Sequence, residues 1–173
     1  MTSPGPRPGD ILIFYNARGL SRFITLLCRS PFYHVALSAG GDEVVEARPN
    51  GVARRHLSTP PVRSDYAVVP APNDTGGAAL RWAMSKIGDG YDPLDLAVIA
   101  LDRVFAHVRI NYVVGDRFTC GEFVATAFEK AAAPLFTDID PTDVEPADFA
   151  RFLQPDVRRA IERKARMMMA WRR

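Results

Sequence analysis

The sequence predicts an α+β fold, a small antiparallel sheet packed by helices. Three observations carry this. Residues 10 to 70 hold short β-rich runs separated by glycine and proline turns. One of these runs folds back on itself around Ala39-Gly40-Gly41-Asp42, where glycines allow the positive φ of a tight loop. From residue 76 onward the apolar residues fall at helical spacing instead.

The elements follow in order. Pro8-Gly9-Asp10 is a turn, and ILIF after it is a short buried strand. RGLSRFITLLCR, 18 to 29, sets Leu20, Phe23, Ile24 and Leu27 on one helical side, and Cys28 belongs with them as packing. HVALSAGGDEVVEA, 34 to 47, is a hairpin, Gly51-Val52 starts another strand, and YAVVP at 66 to 70 is a further one. GGAALRWAMSKIG, 76 to 88, is a helix with glycine at its end. Asp92 caps the next helix with Pro93 at its first position, and that helix runs to Val108. Thr119 opens a helix reaching Ala132, and Pro146 to Leu153 is a last short one. Residues 1–153 then form a single domain, and 154–173 a basic amphipathic helix or tail.

A chain of 173 residues suits one domain with a real core. With 47% hydrophobic and 24% charged residues, the balance is globular and not that of a disordered segment. Charge is unevenly spread. Residues 151 to 173 hold eight basic groups against Asp156 and Glu162, a net +6, so the rest carries −4 within a total of +2. Two cysteines make no disulfide framework, which implies a reducing compartment. MTSPGPRPGD has no apolar signal core, and LDLAVIALDRVFAHV is broken by Asp95, Asp102 and Arg103. The expectation is a cytoplasmic protein as encoded, with any export independent of a signal. The scattered cysteines and histidines propose no metal, and no cofactor is implied.

Chemistry concentrates at RFTCGEFVATAFEKAA, 117 to 132. Thr119-Cys120-Gly121-Glu122 fits a capping box, with Thr119 as N-cap and Cys120 as the first helical residue. Backbone N–H groups and the helix dipole there favour thiolate over thiol, and could hold an oxyanion. Gly121 leaves room for a substrate beside the sulfur. The alternative is a buried cysteine that merely begins a helix.

A nucleophilic cysteine needs an imidazole within reach. His56 follows Arg54-Arg55 near a loop and reads as solvated; His107 lies late in the long helix and reads as a cap or packing residue. His34 opens a strand of small apolar residues and is placed to face a cleft. Glu46, twelve positions later on the return strand, sits between Val45 and Ala47, an apolar setting that asks for a partner. A solvent-facing Glu46 is the alternative. Register decides, because strand side chains alternate faces. A three-residue loop Ala39-Gly40-Gly41 pairs His34 with Glu46 on one face, whereas a loop of Gly40-Gly41 alone puts them on opposite faces.

Three segments together resemble the NlpC-type branch of the papain-like cysteine peptidases. PGDILIF, 8 to 14, resembles its Pro-Gly-Asp strand. HVALSAGGDEVVEA resembles its His-Val-Gly-Ile…His-Ala hairpin, with Glu46 at the third polar position. FTCGEFVATAF, 118 to 128, resembles its Tyr-Asp-Cys-Ser-Gly-Leu-Val helix start. In the common form the cysteine helix comes first; here it follows the hairpin, a circular permutation. The chain is in this respect similar to YiiX-like bacterial enzymes and to the lecithin:retinol acyltransferase group, whose Asn-Cys-Glu-His-Phe-Val is similar to TCGEFV. The resemblance implies a permuted papain-like half-barrel and a triad of Cys120, His34 and Glu46. It also implies a tyrosine near the oxyanion two residues before the cysteine. Phe118 stands there, so Tyr33 or Tyr15 are the candidates for a substrate-binding hydroxyl.

The expected reaction is attack of the Cys120 thiolate on a carbonyl, through a thioester. Two substrate classes compete, a peptide or γ-glutamyl amide and a lipid acyl group. In the tail, Val157, Ile161, Ala165 or Lys164, Met168 and Trp171 fall near one stripe among arginines, compatible with an anionic membrane surface or with packing on the domain itself. A non-catalytic binding module of the same shape is a third reading. Nothing in the body suggests specific nucleic-acid recognition, and a monomer is expected.

Overall fold

In the computed structural model, residues 5–15, 30–48, 51–58, 65–88 and 118–170 are described, with side chains to residue 167. The predicted helices at 18–29 and 92–108, with Cys28 and His107, lie outside these residues, as do the side chain of Met168 and all of Trp171. The described part is mixed α and β. Strands β1 (Ile11–Tyr15), β2 (Phe32–Gly40), β3 (Glu43–Arg48), β4 (Gly51–His56) and β5 (Asp65–Val69) form one open sheet in the order β4-β3-β2-β1-β5. Every neighbouring pair is antiparallel. Helices α1 (Gly76–Ser85), α2 (Cys120–Lys130) and α3 (Pro155–Ala170) follow.

Alternation along the strands builds two apolar layers. Ile11, Ile13, Val35, Leu37, Val45 and Ala47 join one core with α1 and α2, which contribute Ala79, Leu80, Ala83, Phe123, Val124, Ala127 and Phe128. Leu12, Phe14, Ala36, Val44 and Leu57 form a second cluster. β1 is buried on both sides, which is why its four apolar residues run without alternation. The short helix expected at 146–153 is a 3-10 turn, Asp148–Phe152, whose buried Phe149 meets Phe136 edge-on at 5.1 Å. α3 drops Ile161 into the main core, and its Lys164 Nζ lies 3.3 Å from Asp65 Oδ2.

The β2–β3 hairpin matches neither expected loop. Gly40 pairs with Glu43 across a tip of Gly41-Asp42, while Ser38 pairs with Val44 and Leu37 with Val45. Ala39 is therefore an extra, bulged residue. The buried Ser38 hydroxyl accepts the Gly40 N–H at 3.0 Å and holds the bulge. Continued toward β2's start, this register sets Ala36 opposite Glu46 and His34 opposite Arg48. His34 and Glu46 are then diagonal neighbours on one face. Without the bulge, the Gly40–Glu43 register would send them to opposite faces.

The Pro-Gly-Asp turn ties this hairpin to α1. Gly9 N–H donates to Ser38 O and Ser38 N–H to Asp10 O, each at 2.8 Å. The Asp10 carboxylate accepts from Arg7 N–H at 2.8 Å and from Ala71 N–H at 3.1 Å. Gly9 has φ +89°, and a Cβ there would lie 2.2 Å from the Gly76 backbone. Gly9→Ala is expected to lower unfolding stability by at least about 1–3 kcal/mol, through overlap and a left-handed backbone. Urea denaturation measures this, and a variant as stable as the parent contradicts the close approach.

Candidate active site

Cys120 is the first residue of α2, half-buried. The capping box is complete. Thr119 Oγ1 accepts from Glu122 N–H and Thr119 N–H donates to Glu122 Oε2, both at 3.2 Å. Phe123 N–H starts the helical ladder onto Thr119 O at 2.9 Å. Cys120 and Gly121 thus lie in the first turn of the helix, at its positive end. Gly121 has a different role from the one expected. A Cβ on it would lie 2.0 Å from Val144 O, so the glycine admits the Val144–Glu145 backbone and not a substrate.

His34 follows a bulge at Tyr33, where Phe14 pairs with His34 but Tyr15 with Phe32. Its ring packs on Phe14 at 5.5 Å and is only 8% exposed. Nε2 lies 2.7 Å from Glu46 Oε2. The ring is also hydrogen-bonded to the Cys120 side chain. With Nε2 engaged by the carboxylate, Nδ1 is the nitrogen left for the sulfur.

Glu46 has no exposed surface, so the solvent-facing alternative is excluded. Its second oxygen, Oε1, lies 2.5 Å from Arg48 Nε and 3.3 Å from Arg55 Nε. Alternation and the β3–β4 pairing put Glu46, Arg48 and Arg55 on the face that carries His34.

These contacts set the charges. Burial disfavours an imidazolium at His34, but the charge and hydrogen bond of Cys120, then those of Glu46, overcome it and push the pKa up to about 9. Burial likewise raises the Glu46 carboxyl, yet His34 and then Arg48 hold it below its ordinary value. The Glu122 carboxyl is pushed up, first by its own burial and then, against the Thr119 bond, by Asp140. The arrangement can hold a thiolate against an imidazolium, steadied by a buried carboxylate.

The structure thus brings Cys120, His34 and Glu46 together from three separated segments. Tyr33 packs with the second apolar cluster. Tyr15 lies on the β5 side, where burial and then Asp65 raise its pKa against the opposing pull of Lys164. Phe118 has no hydroxyl to offer and instead joins an aromatic group, 5.6 Å from Trp82 and 5.7 Å from Phe123. His56 is exposed and pairs with Glu43 at 3.3 Å, away from the triad. Sequence reasoning missed Arg48 and Arg55. A signal existed for Arg48, which stands two residues after Glu46 and so shares its face.

Glu46→Ala leaves three cationic groups around a buried gap. It is expected to cost about 3–5 kcal/mol at neutral pH. A carboxyl whose pKa is lowered on folding stabilises above its ordinary value of 4.5, and loses that contribution as pH falls through the folded value. The parent should therefore lose stability on acidification below that range, and the variant should lose less. Denaturation midpoints across about pH 3 to 8 decide it, and parallel curves contradict it.

The sequence matches no protein-family model, and no curated protein matches it significantly. The reading of the site rests on its own geometry.

Proposed function

We propose that the protein is a cysteine hydrolase of circularly permuted, NlpC-like papain type, cleaving an amide through Cys120, His34 and Glu46. One observation carries this: a buried imidazole bonded to a cysteine at a helix N-terminus on one side and to a buried carboxylate on the other.

The steps follow from the atoms. Cys120 Sγ attacks the carbonyl carbon, and the carbonyl electrons move to oxygen. The Cys120 backbone N–H holds that oxyanion at the helix end. The oxyanion collapses, the C–N bond breaks, and the His34 Nδ1 proton goes to the departing nitrogen. A thioester remains. Water attacks it, gives its proton to His34, and the C–S bond breaks to restore the thiolate. Glu46 keeps Nε2 protonated and the ring in place. The leaving-group proton is present while His34 is imidazolium, so turnover holds through neutral pH and falls as pH rises through about 9.

One observation favours a second reading, a lipid acyl substrate at an anionic surface. α3 is tied down by Ile161 and Lys164, yet leaves Arg158, Arg159, Arg163 and Arg166 exposed together with Val157 and Met167, the last 65% exposed.

Iodoacetamide labelling at pH 6 tests the nucleophile without a known substrate. An isolated thiol is ionised to well under 1% there, so His34→Ala should slow Cys120 labelling by on the order of 100-fold. Equal rates in parent and variant would indicate a non-catalytic module. Cys120-dependent turnover of γ-glutamyl or peptide amides, against acyl esters in anionic vesicles, then separates the two substrate classes.

A further inference from the structure

Among the described residues, the triad face carries more positive charge than its acids balance. Arg48 and Arg55 converge on one oxygen of Glu46. Among the described residues, Glu46 is the only acid with which either arginine pairs. Placing the shared proton on His34 or on Cys120 does not change the sum, because both arrangements leave one positive charge over. A surplus positive charge on a partly exposed face draws an anion to it.

The geometry of the two arginines suggests what completes it. Each approaches Glu46 through Nε alone, and Arg55 Nε is buried beside the carboxylate without a hydrogen bond. A guanidinium carries four further N–H donors on its Nη atoms, in a planar fork that matches a carboxylate or phosphate. The arginine side chains stay 21% and 27% exposed, while Glu46 is sealed beneath them. Continued toward the start of β2, the β2–β3 register puts Arg48 on the face of His34, in the range of cross-strand neighbours.

We propose that Arg48 and Arg55 form an anion subsite beside His34, which receives a carboxylate or phosphate of the substrate flanking the scissile carbonyl. This rests on the proposed hydrolase reading and adds a substrate class to it, acyl compounds with an oxyanion near the bond cleaved. The arginines are specificity-determining and touch the substrate, and Glu46 fixes where they stand. Either proposed substrate class can supply the group, a carboxylate from a peptide or a phosphate from a lipid headgroup.

Two measurements test it, and their failures are distinguishable. The first uses Cys120→Ala protein and needs no reactive sulfur. Glutarate, inorganic phosphate and neutral glutaramide are titrated while the thermal midpoint is followed. The subsite predicts a rise with an anion and none with glutaramide, with most of the rise lost in Arg55→Gln. Glutarate acting alone points to a carboxylate ligand, and phosphate acting alone to a phosphate. No rise with either anion, or an equal rise in Arg55→Gln, overturns the subsite. Arg55→Gln is chosen because Arg55 Nε makes no hydrogen bond, whereas Arg48→Gln removes a 2.5 Å contact to the triad.

The second compares labelling of Cys120 by N-bromoacetyl-glycine, which carries a carboxylate, and by its neutral amide, N-bromoacetyl-glycinamide. The parent should favour the anionic probe by on the order of tenfold, as one charge-assisted contact allows. Arg55→Gln should erase the preference, and an unchanged preference overturns the subsite. Failure of both probes to label Cys120 sinks the hydrolase reading, and the anion titration still decides the subsite.

Discussion

Burying the Glu46 carboxylate without partners would cost several kcal/mol, and the protein organises its sheet around avoiding that. His34 meets one oxygen at 2.7 Å, while Arg48 and Arg55 meet the other. Remove the carboxylate and three cationic groups lose their common anion. Remove the imidazole and the cysteine loses the hydrogen bond that joins helix to sheet. The same buried charge thus underlies both local stability and the chemistry proposed for Cys120.

This constraint is transmitted through backbone details that carry no charge. The bulge at Ala39, held by Ser38, sets the parity that puts Glu46 on the face of His34. A second bulge at Tyr33 turns the start of β2 as His34 is reached. Gly9 and Gly121 let backbones approach where any side chain would collide, the first joining the hairpin to α1 and the second seating the N-terminus of α2 against Val144. Sulfur and imidazole meet because these contacts fix two elements far apart in the chain. A small shift in either would leave a buried histidine and an ordinary cysteine.

Much of this was legible from residues alone. The five strands, the helix at 76 and the capped helix at Cys120 follow from alternation, turn residues and the Thr-x-x-Glu box. Cys120 and His34 could be named because nucleophile and base are scarce residue types in a chain with two cysteines and three histidines, and Glu46 because it stands among apolar neighbours twelve positions after His34. The hairpin register was not legible, since a bulge depends on a single hydroxyl bonding one N–H and leaves no periodic trace. Gly121 was misread for a similar reason: the Val144 carbonyl that requires it lies in a distant loop. Arg48 and Arg55 look like solvated strand residues until Glu46 is seen to be buried beneath them.

The central claim is that the triad rests as an ion pair, with the His34 ring protonated at neutral pH. Nitrogen-15 NMR of the histidine rings across pH 5 to 10, spanning the ordinary histidine pKa of about 6.5, measures this directly. Imidazolium shifts for His34 that persist through neutral pH and titrate near 9, falling toward the ordinary value in Cys120→Ala, are the result this structure predicts. A His34 ring already neutral at about pH 7 would contradict it.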